Sequence, residues 1–134
     1  MRVADVMQTN LRTVHGDQTV AEAVAVMADH HVSGLPVIDR QGRLVGVLSS
    51  SDVLEAEAGC GGTDALDRLF NDTLVQEVMT PRAQTLTPDA TIKEAASRLL
   101  YLDIHRLFVE HEGRLVGVVS TSDLVRAMAL ERQA

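Results

Sequence analysis

Tryptophan is absent from this 134-residue chain, and two Phe with one Tyr are its only aromatic residues, 2% of the total. Platforms on which single-stranded nucleic acid could stack its bases are therefore nearly missing. Positive charge is also short. Twelve Lys and Arg face nineteen Asp and Glu, and the resulting formal charge of −7 opposes binding to a phosphate backbone. Cys60 is the only cysteine, which excludes an internal disulfide and a thiolate zinc cluster and favours a reducing compartment. Lying among glycines with no base fixed beside it, Cys60 reads as an incidental thiol rather than a nucleophile. No apolar run reaches membrane-spanning length, and Met1-Arg2-Val3-Ala4-Asp5 does not open a signal peptide. These features predict a cytoplasmic chain with no membrane partner. Neither a Walker-type loop nor a nucleophile–base pair is present, so the chain reads as a non-enzyme.

What the chain does have is a repeat. Gly42 to Asp52, GRLVGVLSSSD, returns as Gly113 to Asp123, GRLVGVVSTSD. Upstream, Val3-Ala4-Asp5-Val6-Met7 matches Val75-Gln76-Glu77-Val78-Met79, and Thr13, Asp17, Thr19, Glu22 and Ala23 match Thr85, Asp89, Thr91, Glu94 and Ala95. The second copy drops one residue at a turn, where Asp39-Arg40-Gln41-Gly42 is answered by His111-Glu112-Gly113. With 46% hydrophobic residues, the length suits either one ordinary domain or two half-size units sharing a core, and the repeat favours the second.

Each copy reads as a brief extended entry, a helix, two strands and a closing helix, an α+β pattern. Thr19-Val20-Ala21-Glu22 and Thr91-Ile92-Lys93-Glu94 are capping boxes that open helices of about three turns. Val20, Ala23, Val24 and Met27, like Ile92, Ala95, Leu99 and Leu102, recur at helical spacing and are core candidates. Val37 to Leu48 and Val109 to Val119 read as hairpins, with Pro36 early in its strand where no ladder N–H is needed. Asp52 to Ala58 and Asp123 to Leu130 are the closing helices. Between the copies, Thr63 to Asn71 predicts a short helix burying Leu66, Leu69 and Phe70. The predicted organisation is residues 1–58 as the first repeat, 59–74 as a linker, 75–130 as the second repeat and 131–134 as a frayed tail.

Ser49-Ser50-Ser51-Asp52 and Ser120-Thr121-Ser122-Asp123 fall where a strand ends and a helix begins. Free backbone N–H groups and the positive end of the helix dipole there suit a hydroxylated or anionic ligand. Ser and Asp at such a place are also ordinary helix caps. Adjacent His30 and His31 do not share a helix face, which argues against a metal site.

This ordered, repeated set of motifs resembles a pair of cystathionine-β-synthase (CBS) domains, the Bateman module, over nearly everything from Val3 to Met128. The marks are the Val-Met entry, the Asp-x-Thr-(Val/Ile)-x-Glu-Ala helix start, Leu35-Pro36-Val37-Ile38-Asp39, the Gly-Arg-Leu-Val-Gly-Val strand and the closing Ser-x-x-Asp. The resemblance implies a pseudo-twofold pair of βαββα repeats packed through their sheets, with two clefts between them and further association as a homodimer. It implies binding of an adenosine-containing ligand, such as AMP, ADP, ATP or S-adenosylmethionine, and a stand-alone regulatory role acting through a separate protein partner or the oligomer itself. A structural dimerisation module with vestigial clefts is the alternative.

Carried over by position, the resemblance assigns ribose binding to Asp52 and Asp123. Phosphate falls to Ser49, Ser51, Ser120, Ser122, His105, Arg106 and His30. The base would meet Thr13, Val14, Pro36 and Val37 in one copy and Thr85, Leu86, Phe108 and Val109 in the other. Two departures from the family pattern stand out: Gly34 where a basic residue is common, and Phe108 in place of the Pro. Only the second copy has a cation, Arg106, at that position, so the clefts are expected to be unequal.

Overall fold

The computed structural model describes residues 1–59, 61–81 and 83–133, with the side chains of Arg132 and Gln133 left out. Cys60 lies outside these residues, as does Ala134 of the expected tail. The elements in chain order are α1 (Val3–Val6), β1 (Val14–His15), α2 (Val20–His30), β2 (Gly34–Ile38), β3 (Leu44–Ser49), α3 (Ser50–Ala58), α4 (Thr63–Asn71) and α5 (Val75–Val78). They continue with β4 (Thr80–Pro81), β5 (Thr85–Leu86), α6 (Ile92–Leu102), β6 (Arg106–His111), β7 (Arg114–Ser120) and α7 (Thr121–Gln133). The chain is α+β, and each copy carries the βαββα order. Each entry opens with a single helical turn before it runs extended into β1 or β5, and α7 continues past Leu130. No helix among the described residues is long and apolar enough to cross a membrane.

Two compact units form, one of residues 12–83 and the other of residues 1–11 with 84–134. The entry segments are thus exchanged: α1 of the first copy packs with the second copy's body, and α5 of the second copy packs with the first copy's body. Val3 N–H donates to Ala90 O at 2.8 Å and Ala4 N–H to Pro88 O at 3.1 Å. In the other unit, Val75 N–H donates to Gln18 O at 2.8 Å and Gln76 N–H to Gly16 O at 3.0 Å. Both valines are completely buried.

Each unit has its own core. In the 12–83 unit, Val14, Val20, Ala23, Met27, Leu35, Val37, Leu48, Val53 and Val75 pack together. In the other, Val3 joins Leu86, Ile92, Ala95, Leu99, Leu107, Val109, Val119 and Leu124. The helical spacing identified six of its eight core candidates as fully buried, while Val24 and Leu102 are half-buried at the edge. In the linker helix α4, Leu69 is buried, whereas Leu66 and Phe70 are half-covered.

The sheets follow from the hairpins. In the 12–83 unit the strand order is β1-β2-β3-β4, with β1 parallel to β2 and the rest antiparallel. Parallel pairing of β2 with β1 begins at Val37, one residue later than in the other sheet, where Phe108 stands at the position of Pro36, pairs with Thr85 and donates its N–H to Gln84 O at 3.3 Å. The other sheet has the order β5-β6-β7. The one-residue difference at the turn changes its construction. His111 pairs directly with Arg114 across Glu112 and Gly113, both at positive φ, as a two-residue hairpin requires. The longer turn uses the Asp39 carboxylate instead, which accepts from Gln41 N–H at 2.8 Å and Arg43 N–H at 2.9 Å.

The Arg43 N–H, with help from that of Gln41, holds the Asp39 carboxyl below its ordinary value of 3.8. Because the folded form binds its proton less readily, the turn's contribution is complete above that ordinary value and is lost as pH falls through the lowered one. Denaturant titration across acidic pH should therefore show a shallower loss of stability for Asp39→Asn than for the parent.

Candidate functional site

At each strand–helix junction the sequence makes its own cap. Ser49, in extended conformation, accepts from Asp52 N–H through Oγ at 3.1 Å, and Asp52 Oδ2 accepts from Ser49 N–H at 2.9 Å. Ser120 and Asp123 repeat the arrangement at 3.2 and 2.8 Å. The next residue is engaged too. Ser50 donates N–H and Oγ to Ser33 O at 2.8 and 3.2 Å, and Thr121 does the same to His105 O at 2.9 and 3.3 Å. The free N–H groups expected at these corners are thus largely spent internally, because short hydroxyl and carboxylate side chains reach them before any ligand does.

What remains for recognition is the outer carboxylate oxygen. Asp52 Oδ1 accepts from Thr80 Oγ1 at 2.9 Å, and Asp123 Oδ1 accepts from Gln8 Nε2 at 3.1 Å. Thr80 and Gln8 occupy matching repeat positions, one residue after the Val-Met of each exchanged entry. Sequence reasoning missed both. The signal was Gly46 and Gly117, the repeated glycine of each strand, against which these segments close. A Cβ on Gly46 would lie 2.8 Å from Thr80 O, and one on Gly117 would lie 3.0 Å from Gln8 O.

The corners differ. Asp123 is only 7% exposed, and the Arg126 guanidinium lies 4.0 Å from its Oδ1. Asp52 is half-buried, and the matching residue on its helix is Glu55. Arg106 pairs in register with Ser120, which sets it beside the Asp123 corner, while Gly34 pairs with Ser49 beside Asp52. Arg106 is exposed and is in no ion pair among the described residues; Glu112 lies in the turn at the other end of the β6–β7 hairpin, where it approaches His111 at 3.9 Å.

The other predicted residues divide by exposure. Ser51, Ser122 and His105 are exposed near the corners, and Ser49 and Ser120 are half-buried within them. His30 is exposed on the last turn of α2, where the negative end of the helix dipole disfavours an anion. Val14 and Val37 pair with each other, and Leu86 pairs with Val109, all with side chains turned into the cores. Pro36 and Phe108 are buried beside them, leaving half-exposed Thr13 and Thr85 as the side chains a base could touch. The other six offer backbone. Hollows of 310 Å³, lined by His15, Asp39 and Met79, and of 390 Å³, lined by Thr85, Arg98 and Glu110, lie away from both aspartates.

The CBS domain model matches residues 3–59 and 75–130, and the chain belongs to the CBS-domain family. It is 32% identical to the CBS domain-containing protein YhcV of Bacillus subtilis over 91% of this chain and 81% of that one. Other curated relatives are longer, the chain spanning 42% and 59% of two of them. Among solved structures, CBSX2 of Arabidopsis thaliana in complex with AMP superposes with a TM-score of 0.80 at 31% identity, covering 99% of this chain and 98% of that one. The CBS domain pair of protein MJ0100, in complex with 5′-methylthioadenosine and S-adenosyl-L-methionine, gives 0.77 at 25% identity, covering 98% of each.

Proposed function

We propose that this CBS pair is a regulatory module that binds an adenosine-containing ligand (AMP, ADP, ATP, S-adenosylmethionine or a relative) at the Asp52 and Asp123 corners. The observation that carries the reading is the Thr80–Asp52 bond. A backbone N–H fixes one oxygen of the carboxylate, and the other already receives a hydroxyl, the group that a ribose diol would present in its place. Arg106 supplies a rigid fork of donors for phosphate beside the Asp123 corner. Ser49, Ser51, Ser120, Ser122 and His105 are secondary phosphate partners; His30, at the negative end of α2, is not among them. The base would lie against Thr13, Val14, Pro36 and Val37, or against Thr85, Leu86, Phe108 and Val109. The solved relatives with AMP and with S-adenosylmethionine support this ligand class.

A thermal-shift screen of these compounds tests it. Saturation at about a hundred times the dissociation constant adds roughly 2.7 kcal/mol, a rise of several degrees. Failure of every adenosine compound favours a purely structural module. Asp52→Asn keeps an acceptor for the Ser49 N–H but turns the outer atom into a donor, so it should weaken adenosine by about tenfold to a hundredfold. Arg106→Ala should weaken AMP by about the same factor through the lost phosphate contact, with adenosine unaffected. Calorimetric titration reads both.

The same module would act as a homodimer, with a separate protein partner reading its state. Leu100, Val125 and Met128, exposed on α6 and α7, line a 350 Å³ apolar hollow, a patch of the kind that a second copy covers. Light scattering should give a dimer mass, and Val125→Glu should return the monomer.

A further inference from the structure

Resting on that reading, we infer that Gln8 is a specificity-determining residue: it makes the Asp123 corner demand a phosphorylated ligand, while the Asp52 corner accepts adenosine itself. The outer oxygen of Asp52 faces one hydroxyl, that of exposed Thr80. A ribose hydroxyl displaces it like for like, and Thr80 turns to water. The outer oxygen of Asp123 faces the Gln8 carboxamide at 3.1 Å and the Arg126 guanidinium at 4.0 Å, and the carboxylate is nearly closed off from solvent.

A ribose entering there must displace an amide donor from a largely desolvated carboxylate and share it with a cation. Adenosine brings two hydroxyls and no charge to offset that loss. A phosphorylated ligand brings a second anchor, because Arg106 is exposed, unpaired among the described residues, and in register with Ser120 at the same corner. Gln8 itself is exposed and its backbone is held by pairing with Val118, while its side chain is held through its bond to Asp123, so that side chain can swing aside once phosphate holds the ligand.

The test is calorimetric titration of the parent, Gln8→Thr, Thr80→Gln and Asp52→Asn with adenosine and with AMP. The parent should bind one adenosine per chain, and Asp52→Asn should remove that site. AMP should fill two sites. Gln8→Thr should gain a second adenosine site, tighter by about tenfold or more than in the parent, and a further Asp123→Asn should abolish the gain. Thr80→Gln should weaken adenosine at the Asp52 corner by a similar factor. A parent that already binds two adenosines, or a Gln8→Thr variant with unchanged adenosine stoichiometry and affinity, overturns the inference while leaving the functional reading in place. Absence of binding by both compounds in every variant overturns the functional reading and this inference with it.

Discussion

Val3→Asp should strip hydrogen-exchange protection from residues 84–134 far more than from the repeat in which Val3 itself is written. Val75→Asp should do the reverse and open residues 12–83. Each valine is completely buried, and each is surrounded by the other copy's core: Val3 by Leu86, Ile92 and Leu124, Val75 by Val14, Val20 and Leu48. An unpaired carboxylate in such a place costs several kcal/mol, and whole domains are stable by only about 5–15 kcal/mol. The expected outcome is therefore loss of the affected unit rather than local loosening. Exchange measured peptide by peptide separates the cases, and loss of protection confined to the mutated repeat would show that the entries are not exchanged.

Gly46→Ala and Gly117→Ala should both destabilise, by about 1–3 kcal/mol as overpacking does, but only one should be rescued by trimming the neighbouring methionine. At Gly117 the nearest atom to an added Cβ is Met7 Sδ at 2.6 Å, the flexible end of a side chain, with Gln8 O at 3.0 Å. At Gly46 the backbone itself blocks: Thr80 O would lie at 2.8 Å, alongside Met79 Sδ at 2.7 Å. Met7→Ala should thus recover much of the Gly117→Ala loss, whereas Met79→Ala should recover little at Gly46. Denaturant unfolding of the two double-mutant cycles gives the coupling energies directly. Equal rescue at both positions would mean that β4 can shift away from β3, contrary to the tight pairing of Gly46 with Pro81 and Val47 with Thr80.

Much of this was legible because it is local. Thr19 and Glu22 form the capping box their spacing announces, with Glu22 N–H donating to Thr19 Oγ1 at 3.2 Å. Thr91 makes only half of its box, accepting from Glu94 N–H at 3.1 Å. The hairpins, the linker helix and the Ser-x-x-Asp corners likewise answer to residues three or four apart. The exchange of entry segments was not legible, for a physical reason. Val3, Val6 and Met7 have the same spacing as Val75, Val78 and Met79, so either segment presents the same apolar face to either core, and no pattern within the chain decides between them. The partners of the aspartates were hidden by the same ambiguity, since Gln8 and Thr80 reach them only across the exchange.

The exchange also sets an order of assembly. Residues 12–83 are contiguous, so their unit can close as soon as Val75 to Pro81 have left the ribosome. Residues 1–11 are made before the rest of their own unit and have no partner until Leu86 to Leu124 have been made, so their docking must close a loop of more than seventy residues in sequence. Contacts so distant in sequence form slowly. The opening segment of the chain, with Gln8 and Val3 in it, should therefore be the last to dock, and refolding should show a slow phase that Val3→Ala alters and a fast one that it does not.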